Sequence, residues 1–225
     1  MKQLISEISH AALNMAFPAY CQNCNTRLSF DTKIYLCKGC IENIRLCSAP
    51  VLTRGGNDSF FREAWHCYKY EGIVKELLHK FKYNKKLFLK HTLTHLFYSA
   101  LKDCVDYNNI DLIAAVPMHR IDENNRGFNQ SAILAKGLSS LLNIDYNSYC
   151  LQKAKRTREQ IGLSKKERLG NIKSAFSFSG GDIGKKDLLL VDDVFTTGAT
   201  VSECAKVLMA NGAGSVSVIT LAKGI

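Results

Sequence analysis

Runs of apolar residues alternate with segments of helical spacing along the second half of this chain. The mainly apolar runs at 112–116, 187–191 and 215–221 are typical of strands that are covered on both faces. The segments at 128–142 and 199–211 have apolar residues at helical spacing and lie between those runs. Strands that are joined by helices of this length indicate a parallel sheet, so the pattern predicts an α/β fold.

The first half of the chain has a more mixed pattern. Residues 4–17 predict a short amphipathic helix that ends before Pro18. A strand is predicted at 66–70, and helices are predicted at 71–83 and 87–102. These elements extend the predicted α/β unit toward the N-terminus.

Five of the nine cysteines lie close together, between Cys21 and Cys47. Four of them form two CxxC pairs, and twelve residues separate the pairs; these four are Cys21, Cys24, Cys37 and Cys40. This spacing predicts a structural Zn²⁺ site with four thiolate ligands. Reduced structural cysteines and an iron–sulfur site are the alternatives that remain open. A four-thiolate zinc site has no open position, so we expect it to fold the segment rather than to catalyse a reaction. We therefore predict an N-terminal helix and zinc-ribbon module over 1–55, followed by an α/β domain over 56–225.

The segment LLLVDDVFTTGAT at 188–200 combines an apolar strand, two acidic residues and a Thr/Gly loop that opens a helix. Ligands bind at the carboxyl ends of parallel strands, and the N-terminus of a helix attracts phosphate. Carboxylates accept hydrogen bonds from a diol, so this loop offers acceptors for a ribose beside donors for a phosphate. A nucleoside-triphosphatase strand is the first alternative, but the sequence lacks the GxxxxGK[ST] loop that it requires. A plain strand, turn and helix with threonine caps is the second.

The same segment resembles the signature of type I phosphoribosyltransferases, which bind 5-phosphoribosyl-1-pyrophosphate (PRPP). The resemblance implies that Asp192 and Asp193 hold the ribose hydroxyls. It further implies a 5′-phosphate loop made of Thr196, Thr197, Gly198, Ala199 and Thr200. The implied fold is the parallel-sheet type I phosphoribosyltransferase fold, and Mg²⁺ is expected to accompany PRPP.

Further motifs narrow the family. The segments at 68–83, 116–130 and 157–176, together with the cysteine knuckles, resemble the ComF family of competence-associated proteins. The likeness covers roughly residues 15–222 and implies a part in natural transformation, with the DNA-uptake machinery as a partner. Some members of that family have a further CxxC knuckle where this chain has Cys47 and Pro50. A second zinc ion is therefore not expected.

By the same resemblance, the turn after the strand at 112–116 corresponds to a pyrophosphate-binding loop. The residues assigned to pyrophosphate are Met118, His119, Arg120 and Arg126. A guanidinium and main-chain donors at the end of a strand suit a diphosphate. The alternative is that Arg126 is a surface residue and that Phe128 belongs to the core.

A basic stretch at 152–171 predicts a long mobile loop where related transferases carry a lid. Such a lid would neutralise charge on leaving pyrophosphate, and Lys155 and Arg156 are the catalytic candidates. A solvated charged face is the alternative interpretation.

The formal net charge is +10, and residues 61–180 carry 20 basic and 11 acidic side chains, which is +9 of that total. A basic surface of this size suits a polyanionic partner or simply keeps the protein soluble. Three aromatic residues, Phe81, Tyr83 and Phe88, are interleaved with six lysines. The lysines are Lys75, Lys80, Lys82, Lys85, Lys86 and Lys90. Cations beside aromatic rings suit single-stranded nucleic acid. The favoured interpretation is that helical spacing buries Phe81 and Phe88 and leaves the lysines in water.

The sequence has no segment that is apolar enough to cross a bilayer, and its first twenty residues match a signal peptide poorly. We therefore expect a cytoplasmic protein with no membrane insertion. Our first hypothesis is a PRPP-binding protein of DNA uptake that also binds single-stranded DNA.

The alternative is an active phosphoribosyltransferase of nucleotide metabolism that transfers phosphoribosyl from PRPP to a nitrogen acceptor and releases pyrophosphate. A weaker hypothesis is an adaptor that uses the zinc module. Because 25 residues follow Thr200, we expect no C-terminal base-binding hood. An acceptor base would then be held by the region 60–100 or by the zinc module.

Overall fold

A six-stranded sheet lies at the centre of the molecule. The computed structural model describes residues 18–29, 31–44, 46–56, 59–156, 172, 174–180 and 183–224. The helix predicted at 4–17 lies outside these ranges, as do residues 157–171 of the predicted loop.

The strands and helices follow one another in the order that an α/β fold requires. The strands are β1 (Ala19–Tyr20), β2 (Arg27–Leu28), β3 (Leu46–Arg54), β4 (Glu63–Lys69), β5 (Leu112–Ala115), β6 (Tyr146–Asn147), β7 (Leu151–Lys153), β8 (Phe176–Phe178), β9 (Asp187–Phe195) and β10 (Ser215–Lys223). The helices are α1 (Lys38–Glu42), α2 (Gly72–Tyr83), α3 (Leu89–Leu101), α4 (Arg120–Arg126), α5 (Gln130–Leu142) and α6 (Ala199–Ala210). A short 3₁₀ helix spans Tyr107–Asn109.

The central sheet has the spatial order β3-β4-β10-β9-β5-β6. The pairings from β4 to β6 are parallel, and β3 pairs with β4 in the antiparallel sense at one edge. Strands β9 and β10 are apolar on both faces because helices cover both sides of the sheet. Leu189 and Val191 of β9 enter one core, whereas Leu188 and Leu190 enter the other. The predicted α/β class with a mainly parallel sheet is confirmed.

Strand β9 is longer than the sequence predicted. Its Val191 pairs with Ala115, the last residue of β5, but β9 continues beside β10 as far as Phe195. Asp192 therefore lies within the strand and pairs with Thr220. The ladder continues because β10 supplies partners as far as Lys223. The acidic pair thus projects past the end of β5, on a rigid strand rather than in a turn.

Helix α4 was not predicted, and the helix expected to start at residue 128 begins at Gln130. The sequence of α4 is largely polar, so it has no apolar periodicity that could mark it. Gly127 ends α4 with a φ of +91°, in the left-handed region. The Asn129 side chain then caps α5 by accepting hydrogen bonds from the N–H groups of Ser131 and Ala132.

The N-terminal segment contacts the α/β unit in two ways. Strand β3, which was not predicted, pairs with β4. The Tyr35 N–H donates to the Thr92 hydroxyl of α3 at 2.9 Å. The domain boundary near residue 55 stays a prediction. Within the described ranges, no helix combines the length and the apolar character that a membrane span requires.

Candidate functional site

A cleft of about 260 Å³ opens at the carboxyl ends of β5 and β9. Its walls come from these strands, from the N-termini of α5 and α6, and from the last turn of α2. The residues that line it include Lys82, Met118, Asn129, Ser131, Lys153, Asp192, Asp193, Thr196, Gly198 and Thr200. This is the position at which open parallel sheets bind ligands.

The acidic pair predicted to hold ribose lines this cleft and is buried. The Ser131 hydroxyl donates to Asp192 Oδ1 at 2.7 Å, and the Asp193 N–H donates to the same oxygen at 2.9 Å. Burial and the neighbouring Asp193 charge raise the pKa of Asp192 to about 7. The side chain of Asp192 is therefore fixed in place, with a protonation state that changes near neutral pH.

Lys82 forms an ion pair with Asp193 inside the cleft, and the two side chains are only 14% and 6% exposed. Burial acts to lower the pKa of Lys82, but the carboxylates of Asp193 and Asp192 outweigh it and the net shift is upward. The expectation that Lys82 faces water is wrong. Helical spacing predicts the same exposure for every lysine of α2. The structure differs at Lys82 because the last turn of α2 lies over the cleft. Sequence reasoning thus missed Lys82 as a site residue.

The predicted phosphate loop forms the N-terminus of α6. Thr196, Gly198 and Thr200 line the cleft, whereas Thr197 accepts a hydrogen bond from the Ala199 N–H at 3.4 Å. Gly198 precedes the first helical residue and has a φ of +78°. A Cβ atom there would lie 2.8 Å from Phe195 Cζ. Glycine is therefore required both by the backbone conformation and by the close approach of the ring.

A buried histidine supports this loop from behind, and the sequence contained no signal for it. The His66 ring lies 4.2 Å from the Phe195 ring. Its nitrogens contact the hydroxyls of Thr53 at 3.1 Å and Thr220 at 2.8 Å. Burial and the nearby Lys223 charge lower the pKa of His66 to about 4, so its ring is neutral at physiological pH. The ring thus serves as a fixed, uncharged support for Phe195.

Two of the residues predicted to hold pyrophosphate line clefts. Met118 lines the first cleft and also a second one of about 470 Å³, which Arg120 lines too. The His119 ring instead accepts a hydrogen bond from the Ile121 N–H at 3.3 Å and caps α4. The two clefts share Lys153, so a ligand that extends from one to the other would pass this ammonium group.

The guanidinium of Arg126 contacts Gln130 and Tyr83. It donates to Gln130 Oε1 at 2.7 Å and lies 5.2 Å from the centre of the Tyr83 ring. Gln130 lines the first cleft, but Arg126 is not among the described residues that do. Its assignment to pyrophosphate stays a prediction.

The described start of the basic loop includes both catalytic candidates. Arg156 forms an ion pair with Asp122, with Nη2 at 2.9 Å from Oδ1. Neither Lys155 nor Arg156 is among the described residues that line the clefts, whereas Lys153 lines both. Burial lowers the pKa of Lys153, and the carboxylates of Asp122 and Asp192 oppose this effect. Within the described part of this segment, Lys153 is thus the basic residue that shares a cleft with the acidic pair.

The lysine and aromatic residues of α2 do not form one continuous surface. Phe81 is buried and packs against Phe128 with ring centres 5.0 Å apart, as predicted. Phe88 is 38% exposed, so the prediction that it is buried is wrong. It sits outside α2 and contacts Tyr35 at its side instead of entering the core. Two further lysines donate to Gln22, namely Lys80 and Lys86.

The four predicted metal ligands converge. Their sulfur atoms, from Cys21, Cys24, Cys37 and Cys40, all lie within 4.8 Å of one another. Zn–S bonds of about 2.3 Å in a tetrahedron place sulfurs about 3.8 Å apart, and Cys24 and Cys37 are at 3.5 Å. The Asn23 amide donates to Cys40 Sγ at 3.1 Å. This donor set fits a structural metal ion such as Zn²⁺.

Hydrogen bonds also favour the thiolate form that metal binding needs. The side chain and the main chain of Thr26 lower the pKa of Cys24 to about 6. The Cys37 N–H donates to Cys21 Sγ at 3.4 Å. At Cys40 the Asn23 hydrogen bond acts to lower the pKa, but burial and the other three cysteines outweigh it and raise that pKa to about 12.

This chain is similar in sequence to proteins that are named for competence and for DNA utilization. It is 30% identical to Competence protein F of Haemophilus influenzae over 223 residues, which is 90% of this chain and 96% of that protein. It is 31% identical to DNA utilization protein YhgH of Escherichia coli K12 over 68% of this chain and 69% of that protein. It is 28% identical to Competence protein ComFC of Streptococcus pneumoniae over 69% of this chain and 66% of that protein. No family model matches the chain.

Solved structures match at lower similarity. A purine phosphoribosyltransferase from Pyrococcus horikoshii is 19% identical, with a TM-score of 0.35 over 58% of this chain and 70% of that one. A hypoxanthine phosphoribosyltransferase from Staphylococcus aureus is 15% identical, with a TM-score of 0.38 over 61% of this chain and 72% of that one.

Proposed function

Because the chain belongs to the ComF family of competence proteins, we propose that its cleft binds PRPP and that this binding serves DNA uptake in natural transformation. One observation carries the proposal. The buried acidic pair, Asp192 and Asp193, and the N-terminus of α6 at Gly198 line a single cleft at the carboxyl end of β9. Carboxylates accept hydrogen bonds from a ribose diol, and the helix N-terminus favours a phosphate dianion. The 5′-phosphate would then lie against Thr196, Gly198 and Thr200.

The diphosphate of PRPP would extend from the ribose toward the turn at Met118 and Arg120. Support comes from Lys153, a basic residue that lines both clefts. Mg²⁺ would arrive bound to the diphosphate itself, since phosphate oxygens are its usual ligands in nucleotide sites. The acidic pair is not required as a ligand of this Mg²⁺.

Single-stranded DNA is the second proposed partner, and the net charge of +10 supports it. The exposed groups on and beside α2 include Lys75, Lys85, Lys90 and Tyr83. These would contact phosphates and stack one base. The buried Phe81 and the paired Lys82 would take no part in such a surface.

A thermal-shift measurement with PRPP tests the ligand. A ligand at 100 times its Kd stabilises a protein by about 2.7 kcal/mol, so we expect the melting temperature to rise with PRPP concentration. Asp192→Asn combined with Asp193→Asn keeps the side-chain volume and should abolish that rise. The control is Glu76→Ala with Asp103→Ala, which removes two exposed carboxylates elsewhere. A rise that survives the Asn pair would show that the ribose assignment is wrong.

An active phosphoribosyltransferase is the second candidate function, and the second cleft of about 470 Å³ favours it. This cleft adjoins the first at Pro117 and Met118 and has room for a small ring or a diphosphate. In the reaction, a nitrogen lone pair attacks C1 of the ribose while the C1–oxygen bond breaks. Pyrophosphate then leaves with the bonding electrons, and the nitrogen loses a proton to solvent. Release of pyrophosphate with one member of a panel of nucleobases would support this candidate, and no release with any of them would exclude it for that panel.

A further inference from the structure

The acidic pair of the cleft already has a cation of its own. Lys82 extends from the last turn of α2 and pairs with Asp193, with both side chains almost fully buried. Helix α2 precedes β5 in the chain and lies outside the strand, loop and helix unit that carries Asp192 and Asp193. The ion pair therefore joins the PRPP-like motif to a part of the chain that lies outside the motif.

In the part of the chain that the structure describes, two acidic residues, Asp192 and Asp193, and two lysines, Lys82 and Lys153, line the cleft. Without Lys82, two adjacent buried carboxylates would repel each other and any phosphate that approached. Proteins commonly relieve such a repulsion with a hard divalent cation that both carboxylates coordinate. Here the ammonium group of Lys82, which is part of the protein itself, pairs with one of the two carboxylates, that of Asp193.

The position of Lys82 is fixed from both sides. Phe81, the residue before it, packs against Phe128 of the α4–α5 connection. Lys80 and Lys86, on either side along the chain, donate to Gln22 of the cysteine module. A lysine held in this way loses little further conformational freedom when a ligand binds. It can therefore serve as a permanent part of the binding site.

We infer that Lys82 takes the place of a divalent cation at the ribose half of this cleft, so that a phosphorylated ribose without a diphosphate binds independently of Mg²⁺. The inference rests on the proposed function, because it assumes that the cleft takes a ribose phosphate. Asp193, neutralised by Lys82, then accepts from one ribose hydroxyl. Asp192 accepts from the other, and the 5′-phosphate meets the α6 N-terminus without net repulsion from the acidic pair.

The test measures the affinity for ribose 5-phosphate by calorimetry, once in Mg²⁺-free buffer that contains no chelator, so that the cysteine site keeps its metal, and once in excess Mg²⁺. Ribose 5-phosphate is the suitable probe because it has the diol and the 5′-phosphate but no diphosphate that could carry Mg²⁺ into the cleft. The wild-type protein should bind with equal affinity in both buffers. Lys82→Met should lose about ten- to a hundredfold in the Mg²⁺-free buffer, the usual cost of removing a charged hydrogen-bond partner, and Mg²⁺ should restore part of the loss.

Two further variants separate a charge effect from a structural one. Lys82→Arg keeps the charge and should keep Mg²⁺-independent binding. Lys136→Met removes an exposed lysine of α5 that does not line the cleft and should leave both affinities unchanged. If Lys82→Met does not fold, Lys82→Met with Asp193→Asn removes both charges of the ion pair and is measured instead. It should bind more weakly than wild type and remain insensitive to Mg²⁺.

The outcomes distinguish the two proposals. Wild-type protein that binds ribose 5-phosphate only with Mg²⁺ overturns the role of Lys82 and leaves the proposed ligand standing. The same holds if Lys82→Met binds as wild type does in both buffers. If wild-type protein binds neither ribose 5-phosphate nor PRPP in either buffer, the proposed function fails, and the inference fails with it.

Discussion

Lys80 donates a hydrogen bond from its Nζ to the main-chain oxygen of Gln22 at 2.5 Å. Gln22 lies between Cys21 and Cys24, two of the four clustered cysteines. Two residues after Lys80, the chain places Lys82 in the cleft beside Asp193. The cysteine module and the candidate ligand site are thus joined by one turn of α2.

Metal removal should therefore weaken ligand binding. We expect a chelator, or Cys24→Ser with Cys37→Ser, to lower the affinity for ribose 5-phosphate about fivefold, because the contacts that hold α2 through Gln22 are lost. Calorimetry measures the affinity, and a metal assay confirms that the ion is gone. Cys104→Ser, which lies outside the cluster, is the control. An affinity that stays unchanged after complete metal loss would show that the two sites are independent.

Gly198→Ala should damage both the fold and the site. The residue has a φ of +78°, and its new methyl group would meet the Phe195 ring. The left-handed conformation alone costs a non-glycine residue about 1–2 kcal/mol. We expect a loss of unfolding free energy of at least that size in urea denaturation, together with loss of ribose 5-phosphate binding. Gly56→Ala is the matched control, since nothing lies near its Cβ position. Equal stability of the two variants would contradict the strain argument.

The position of Gly198 shows what the sequence could predict. A glycine after Asp-Asp-Val-Phe-Thr-Thr, at the start of an apolar helical pattern, predicts a tight strand-to-helix turn on local grounds. The buried run at 187–191 predicts a central strand in the same way. The four-cysteine spacing likewise predicted the cluster. These features depend on neighbours in the chain, and the structure has all of them.

The contacts that the sequence could not predict join residues that are far apart in the chain. Lys82 meets Asp193, and His66 supports Phe195 through the sheet. No periodicity within α2 distinguishes Lys82 from Lys75, because the difference arises only when the helix end is placed over the cleft. Tertiary placement decides these cases. Helix α4 differs, because its polar sequence has no apolar periodicity and its ends are set by the local caps His119 and Gly127.

The protonation of Asp192 should make stability depend on pH. Burial and the Asp193 charge raise its pKa to about 7 in the folded protein, compared with about 3.9 in an unfolded chain. Between these values the folded state holds a proton that the unfolded state has lost. This group's contribution to the unfolding free energy therefore falls as the pH rises from about 4 to 7. Asp192→Asn removes the effect.

We therefore expect the melting temperature of Asp192→Asn, relative to wild type, to rise between pH 5 and pH 8. The comparison isolates one group because every other titrating group is common to both proteins. Glu76→Gln, an exposed carboxylate, should show a flat difference over the same range. A difference that stays constant, or that falls with pH, would rule out the raised pKa of Asp192.

Arg156→Ala, at the start of the basic loop, should lower the affinity for PRPP while it leaves the unfolding free energy almost unchanged. Its ion pair with Asp122 is exposed, with 55% and 34% of the two side chains accessible, so its loss should change the unfolding free energy by less than about 1 kcal/mol. If Arg156 serves the pyrophosphate, the affinity for PRPP should fall about tenfold while that for ribose 5-phosphate is retained. Asp122→Asn, which frees the guanidinium without removing it, should leave PRPP affinity intact. Calorimetry with both ligands measures the effect, and an equal loss for the two ligands would assign Arg156 a purely structural part.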